Sequence, residues 1–310
     1  YRSTHLLLLG VPFLLARREL AADLRALLAA RPARRRGAAE YWALAFLLFL
    51  LLVNLVHSTR PDWGFDALSY HLAVAHMVSV DHFFAYDFAS HVWALMPMGA
   101  DCANTMAYLL AGEEGAHLLN FATLAAAAAL VHQGAARRLP PAPALLLAAL
   151  FVSTPLVTLV TGSLFIDNTV MLFLAAGVLS LVRHGEEGRG WDLALAAIFL
   201  GTALGVKMTA WFMAGACLVA LVLIHWRRRE LRLGPARYLL LLLAGAVFGL
   251  FPYVNAWVMT GNPVFPFFNA LFQSPHYLTA SSFDNPFWKQ PLGPLSLFDL
   301  TFRTTRYMEA

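Results

Sequence analysis

The chain has little charge and almost no cysteine. Only 13% of its 310 residues are Asp, Glu, Lys or Arg, whereas 60% are hydrophobic, and mean hydropathy is +0.64. A soluble domain carries about a quarter charged residues, so this composition excludes an ordinary soluble fold and implies a polytopic membrane protein. The two cysteines, Cys102 and Cys217, lie in different segments without metal spacing, which excludes both a disulfide framework and a cysteine zinc site. Internal repeats and low-complexity linkers are lacking. The chain begins inside an apolar segment, around residues 5–15, which reads as the end of a span in a longer protein.

Long apolar runs are what the sequence does have. A helix needs ~20 apolar residues to cross ~30 Å of hydrocarbon, and candidate spans fall near 41–57, 116–134, 141–159, 165–182, 191–206, 208–226 and 236–258. The expected fold is therefore all-α, a polytopic transmembrane helical bundle. Sixteen of the 22 Lys and Arg fall on alternate connections: Arg17, Arg18, Arg25, Arg31 and Arg34 to Arg36; Arg137 and Arg138; Arg183 and Arg189; Arg227 to Arg229, Arg232 and Arg237. The positive-inside rule places these in the cytoplasm. Such arginines suit anionic headgroups, and the net charge of +4 calls for no nucleic-acid partner.

The opposite side then collects residues 58–115, the turn around Thr161 to Phe165, the turn at Gly205 to Met208, and everything after Met259. The 58–115 loop is long, and its apolar stretches Leu68 to Val80 and Val92 to Leu110 predict short interfacial helices. Phe83, Phe84, Tyr86, Phe88 and Trp93 suit the headgroup level.

Within this surface a few residues have the chemistry of a site. Asp66 follows an apolar run and lies four residues before Tyr70, so a helix would place both on one face with His71 adjacent. Such a carboxylate suits proton abstraction from an attacking hydroxyl, or, more simply, a helix N-cap. Asp62, in Pro61-Asp-Trp-Gly64, reads as a turn. Lys207 is the lone Lys or Arg between Arg189 and Arg227; an amine at membrane depth marks a functional site, here a phosphate contact, unless it snorkels to the headgroups. Asp167 suits a helix start and a pairing with Lys207. Asn262 and Asn269 flank two prolines in a turn. His71, His76, His82 and His91 share the outer loop at spacings poor for a metal, so surface or interfacial roles are expected of them, no metal ligand is assigned, and a divalent cation is the lesser alternative.

Asp66-Ala-Leu-Ser-Tyr-His-Leu72, Gly201-Thr-Ala-Leu-Gly-Val-Lys-Met-Thr-Ala210 and Thr260-Gly-Asn-Pro-Val-Phe-Pro-Phe-Phe-Asn269 together resemble bacterial GT-C-type glycosyltransferases of the dolichyl-phosphate-mannose and lipid A aminoarabinose transferase kind. The resemblance covers about 41–270. It implies transfer of a sugar from a polyprenyl-phosphate carrier to a lipid or glycan acceptor at the outer face of a bacterial inner membrane. It also implies an acceptor-side acidic residue at Asp66, although Ala67 follows where the best-known members have an Asp-Glu pair. Tyr70, His71, Asp167, Lys207 and Asn262 are then the expected substrate-binding residues. The expected organisation is 1–40 as an upstream span end with a basic cytoplasmic segment, 41–270 as the transmembrane domain, and 271–310 as an outer-face segment. The competing reading is a lipid or polysaccharide transporter without covalent chemistry. A transporter needs polar groups through the middle of several spans, and here they cluster at the outer ends.

Overall fold

A computed structural model describes residues 37–62, 64–85, 87–89, 91–280, 282 and 293–303, with 14, 17, 18, 21 and 22. The upstream span around 5–15, the arginines from 25 to 36, and Tyr86 lie outside the described residues, save Leu14 in that span.

Among the described residues the secondary structure is helical throughout. The helices are α1 (Ala38–Ser58), α2 (Leu72–Asp81), α3 (Gly99–Ala136), α4 (Pro141–Val152), α5 (Pro155–Gly162), α6 (Asp167–Glu187), α7 (Gly190–Val206), α8 (Ala210–Arg227), α9 (Pro235–Gly249), α10 (Phe251–Thr260), α11 (Asn269–Phe272) and α12 (Ser296–Phe302). Four of them, α1, α3, α6 and α8, are long and apolar enough to cross a membrane, and the bent pairs α4–α5 and α9–α10 raise the number to six. The shorter apolar helix α7 runs back along α6, since Lys207 at its end meets Asp167 at the start of α6, and it completes the expected alternation. Helices prevail because hydrocarbon offers no partner for a free N–H or C=O. Both bends sit at prolines: Pro155 opens α5 after a 58° turn, and Pro252 lies in the first turn of α10 after a 66° turn. Trp42, Phe49, Leu52 and Val56 of α1 are exposed, the face a spanning helix offers to lipid.

The structure differs from the sequence expectation over 92–115. Val92–Leu95 is a single 3₁₀ turn, and the span expected from 116 is the second half of a helix that starts at Gly99. The joint is a kink at Ala111 and Gly112, where Gly112 has φ +69° and ψ −159°. That conformation is open essentially to glycine alone, so the helix axis breaks just before Glu113 and Glu114, between the stretch expected to end at Leu110 and the span expected from 116.

Helices α7 and α9 pack through glycines. A Cβ on Gly201 would lie 2.2 Å from the Gly245 carbonyl oxygen, one on Gly205 2.6 Å from that of Phe248, and one on Gly249 2.5 Å from that of Gly201. Two small-xxx-small faces thus bring the backbones together, the means by which helices associate where lipid is as apolar as a leucine side chain.

Ion pairs sort the connections to two ends. Arg137 and Arg138 meet Glu186, Arg137 also meets Glu187, and Arg228 donates to the Gly185 and Glu186 carbonyls. The first outer loop, the α5–α6 turn and the α7–α8 turn meet one another at the opposite end.

Candidate functional site

The opposite end is assembled around Asp62. Its Oδ1 accepts from Ser163 Oγ at 2.7 Å and from the Gly64 N–H at 3.1 Å, while Oδ2 accepts from the Leu164 N–H at 2.6 Å. The Asp62 N–H donates to Glu113 Oε1 at 2.8 Å, and His117 Nε2 lies 3.7 Å from Asp62 and 3.6 Å from Glu113. Gly64 permits this closeness, since a Cβ there would meet Ser163 Oγ at 2.5 Å. Asp62 therefore joins the first outer loop to the α5–α6 turn and to α3. Its place in a turn was legible in the sequence; its partners, some hundred residues away, were not.

That α5–α6 turn is itself fixed from below. Asn120 donates to the carbonyls of Val160 (2.8 Å) and Ser163 (3.1 Å), and Asn168 donates to Asn120 Oδ1 (3.1 Å) and Thr161 Oγ1 (2.9 Å). Asn120 thus satisfies backbone carbonyls freed where α5 ends, which buried chain requires, and Asn168 holds the Asn120 amide in place. Ala67 packs on Leu164 and Ala116, so the segment after Asp66 is seated on the turn.

Asp66 is exposed and precedes a π-turn, Ala67–His71, whose closing Leu72 N–H bonds to the Ala67 carbonyl. It has helical backbone angles and makes no capping hydrogen bond, so its carboxylate is not occupied as a cap. The next polar residues face inward. Tyr70 donates its hydroxyl to the Trp93 carbonyl at 3.2 Å and stacks on His91 at 5.9 Å between centroids. Burial first, and then the nearby Asp101, push the Tyr70 phenol far above its ordinary range, so it remains a proton donor.

His71 Nδ1 lies 2.6 Å from Asp101 Oδ1, both groups buried and Asp101 fully so. A carboxylate only accepts, so this contact puts the proton on Nδ1 and leaves Nε2 as the ring's variable position. Asp101 Oδ2 and Thr105 Oγ1 are buried without a hydrogen-bond partner. Sequence reasoning missed Asp101. Its signal was the polar stripe Asp101, Asn104 and Thr105 on one face of the otherwise apolar first part of α3, before the kink at Ala111, all three buried.

Lys207 caps the C-terminus of α7, and its Nζ donates to Asp167 Oδ1 at 2.7 Å and Oδ2 at 2.9 Å. Asp167 opens α6, where a negative charge meets the helix's positive end. Both side chains are 34% exposed. The α3 head closes on this place, since a Cβ on Gly99 would lie 2.9 Å from the Gly205 carbonyl oxygen. The His71 ring lies 6.1 Å from that of Phe165. Asp66, Tyr70, His71, Asp167 and Lys207 thus share one end of the bundle.

Asn262 is buried and engaged in its own turn. It donates to the Phe267 carbonyl at 2.9 Å and to Asn269 Oδ1 at 3.4 Å, and it accepts from the Val264 N–H at 3.0 Å. The turn reaches the outer loop through Trp93 and Phe267, 6.2 Å apart, and Phe88 and Phe265, 5.8 Å apart. Among the described residues no group of three or more His, Cys, Asp or Glu has the arrangement of a metal site.

An all-α, multi-pass membrane bundle with its carboxylates, histidine and ammonium collected where helices meet the surface defines a class: membrane proteins that handle polar groups at the lipid boundary. Residues 96–253, just over half the chain, match the model of the dolichyl-phosphate-mannose-protein mannosyltransferase family, and the chain belongs to that GT-C family of membrane glycosyltransferases. No curated protein and no solved structure matches it. The matched region holds Asp101, Asp167 and Lys207; Asp66, Tyr70 and His71 precede it, and Asn262 follows it.

Proposed function

We propose that this protein transfers a sugar from a polyprenyl-phosphate carrier to a lipid or glycan acceptor at the periplasmic face of a bacterial inner membrane. The observation that carries the proposal is the gathering of Asp66, the His71–Asp101 contact and the Lys207–Asp167 pair at the end away from the arginine-rich connections. Family membership supports the donor class, and the positive-inside rule supports the face.

In this reading the acceptor hydroxyl attacks the anomeric carbon, the bond from that carbon to the carrier phosphate breaks, and the hydroxyl proton passes to a base. The departing lipid phosphate needs cationic or N–H partners for its charge, not an acid. Two of the three Lys207 ammonium protons serve Asp167, and the third is free for a phosphate oxygen. Asp66 takes the acceptor proton, its carboxylate exposed and uncommitted. Tyr70 and His71 form the wall beside it, and Asn262 acts by shaping the turn that covers the outer loop.

A second reading gives the proton to His71 Nε2, with Asp101 orienting the ring. It is favoured by the 2.6 Å contact and the complete burial of Asp101. The variants Asp66→Asn and His71→Gln separate the two. With Asp66 as base, sugar transfer from a labelled polyprenyl-phosphate donor falls roughly 10²-fold in Asp66→Asn and far less in His71→Gln; the reverse order assigns the proton to His71. Near-normal transfer by both variants overturns the mechanism.

A further inference from the structure

Away from the polar end, the structure contains a cavity of about 720 Å³ between α8 and α9, backed by α6 and α7. Helices joined by so short a connection ordinarily pack together as an antiparallel pair. Here α8 and α9 scarcely approach each other: α9 leans on α7, and α8 on α6 and α7. The gap has small residues on one wall, and Gly215 faces open space where even a Cβ would touch nothing.

The lining divides by chemistry. Trp211, Leu218 and Leu242 represent the hydrocarbon stretch; His225, Arg232 and Tyr238 line the end beside the arginine-rich connection. From Trp211 to Trp226 the cavity follows α8 for roughly 22 Å at ~1.5 Å per residue, most of the ~30 Å hydrocarbon thickness. At the polar end His225 is fixed: its Nδ1 faces the Tyr238 hydroxyl at 2.7 Å and its Nε2 faces His184 at 3.1 Å.

Arginines outnumber carboxylates there, because Glu186 and Glu187 of the α6 terminus are already held by Arg137, Arg138 and Arg189. Arg232 donates its Nε to the His225 carbonyl at 3.0 Å, and its other guanidinium nitrogens have no partner among the described residues. Arg228 is paired with Glu230, the one acidic residue from 227 to 237, so Arg227, Arg229 and Arg237 have no carboxylate there either. Lys207, at the other end of α8, already holds Asp167 and does not line the cavity.

We propose that this cavity binds a phospholipid of the arginine-side leaflet, with an acyl chain between α8 and α9 and an anionic headgroup at Arg232 and its neighbours. An apolar slot open to lipid at one side and ending in the Arg232 guanidinium, beside an arginine-rich connection, complements an acidic lipid, because a guanidinium holds phosphate oxygens in a forked contact. The site is separate from the proposed catalytic end, and neither reading depends on the other.

The test is a thermal-unfolding titration of the purified full chain in detergent with dioleoyl phosphatidylglycerol, dioleoyl phosphatidylcholine or a polyprenyl phosphate. Phosphatidylglycerol raises the midpoint in a saturable way and phosphatidylcholine does not. Arg232→Gln shifts half-saturation to about tenfold higher lipid, with partial recovery in Arg232→Lys. Leu218→Trp, which fills the slot and leaves the arginines in place, weakens the response as well. An equal response to both phospholipids, or an unchanged phosphatidylglycerol response in Arg232→Gln, overturns the proposal. Stronger stabilisation by polyprenyl phosphate than by phosphatidylglycerol, lost in Leu218→Trp, also overturns it by giving the cavity to the donor chain. Where a variant fails to fold, native mass spectrometry of the unaltered protein decides: co-purified acidic phospholipid supports the site, and neutral lipid alone overturns it.

Discussion

A residue's chemistry was legible in the sequence where its cost was high and its partner dispensable. Lys207 stands out because an ammonium in an apolar run is expensive, and Asp167 because acids favour helix starts; the structure joins them at 2.7 Å. Asp101 was harder to read, since its partner His71 lies 30 residues away and only its spacing with Asn104 and Thr105 marked a polar face. The Lys207–Asp167 pair gives a prediction with a definite sign. If the free proton of Lys207 holds the donor phosphate, Lys207→Met weakens binding of a polyprenyl-phosphate analogue by about 1.5–3 kcal/mol, roughly tenfold or more. Asp167→Asn keeps the ammonium and its third proton, so donor affinity stays within about threefold, a change of under ~1 kcal/mol. A purely structural pair gives the opposite pattern: both variants lose thermal stability and neither changes donor affinity.

Elements were legible wherever a single helix explains its own pattern. The apolar windows and their order follow from the hydrocarbon thickness alone, and α1, α6 and α8 lie close to the expected spans. The joints were less visible. The kink of α3 rests on the backbone angle of Gly112, beside Glu113 and Glu114, and the closeness of α7 to α9 depends on glycines in two helices at once. The spacing of Gly201 with Gly205 and of Gly245 with Gly249 was present in the sequence; it acquires meaning only when the helices are paired. Glycines with opposite surroundings test that pairing. Gly201→Ala puts a Cβ against a backbone oxygen that cannot move aside, and destabilisation of about 1–3 kcal/mol is expected in reversible unfolding in detergent. Gly215→Ala enters open space and gains helix propensity, so a neutral or slightly stabilising change of up to ~1 kcal/mol is expected. Equal effects at the two positions would mean that α7 and α9 do not approach so closely.

At the scale of the whole molecule, the arrangement of charge and the arrangement of chemistry are one feature seen from two ends. Arg137, Arg138 and Arg228 meet the α6 terminus at one end, while Asp62, His71, Asp101, Asp167 and Lys207 meet at the other. Because α6 runs between them, the side of the membrane facing one end fixes the side facing the other. A wrong orientation would therefore move the whole candidate site to the cytoplasm, where the proposed periplasmic acceptor is out of reach. Single cysteines decide this, provided the exposed native Cys102 and the buried Cys217 are first replaced by serine and alanine. In intact cells, Gln273→Cys, on an exposed residue after α11, is expected to react with an impermeant maleimide supplied from the periplasm. Arg229→Cys, exposed on the arginine-rich connection, is expected to react only after the inner membrane is permeabilised. The positive-inside rule sets this expectation from sixteen Lys and Arg on alternate connections. Labelling of Arg229→Cys in intact cells, with Gln273→Cys protected, would invert the molecule and remove the periplasmic mechanism, while leaving the helix packing and both ion-paired ends as they are.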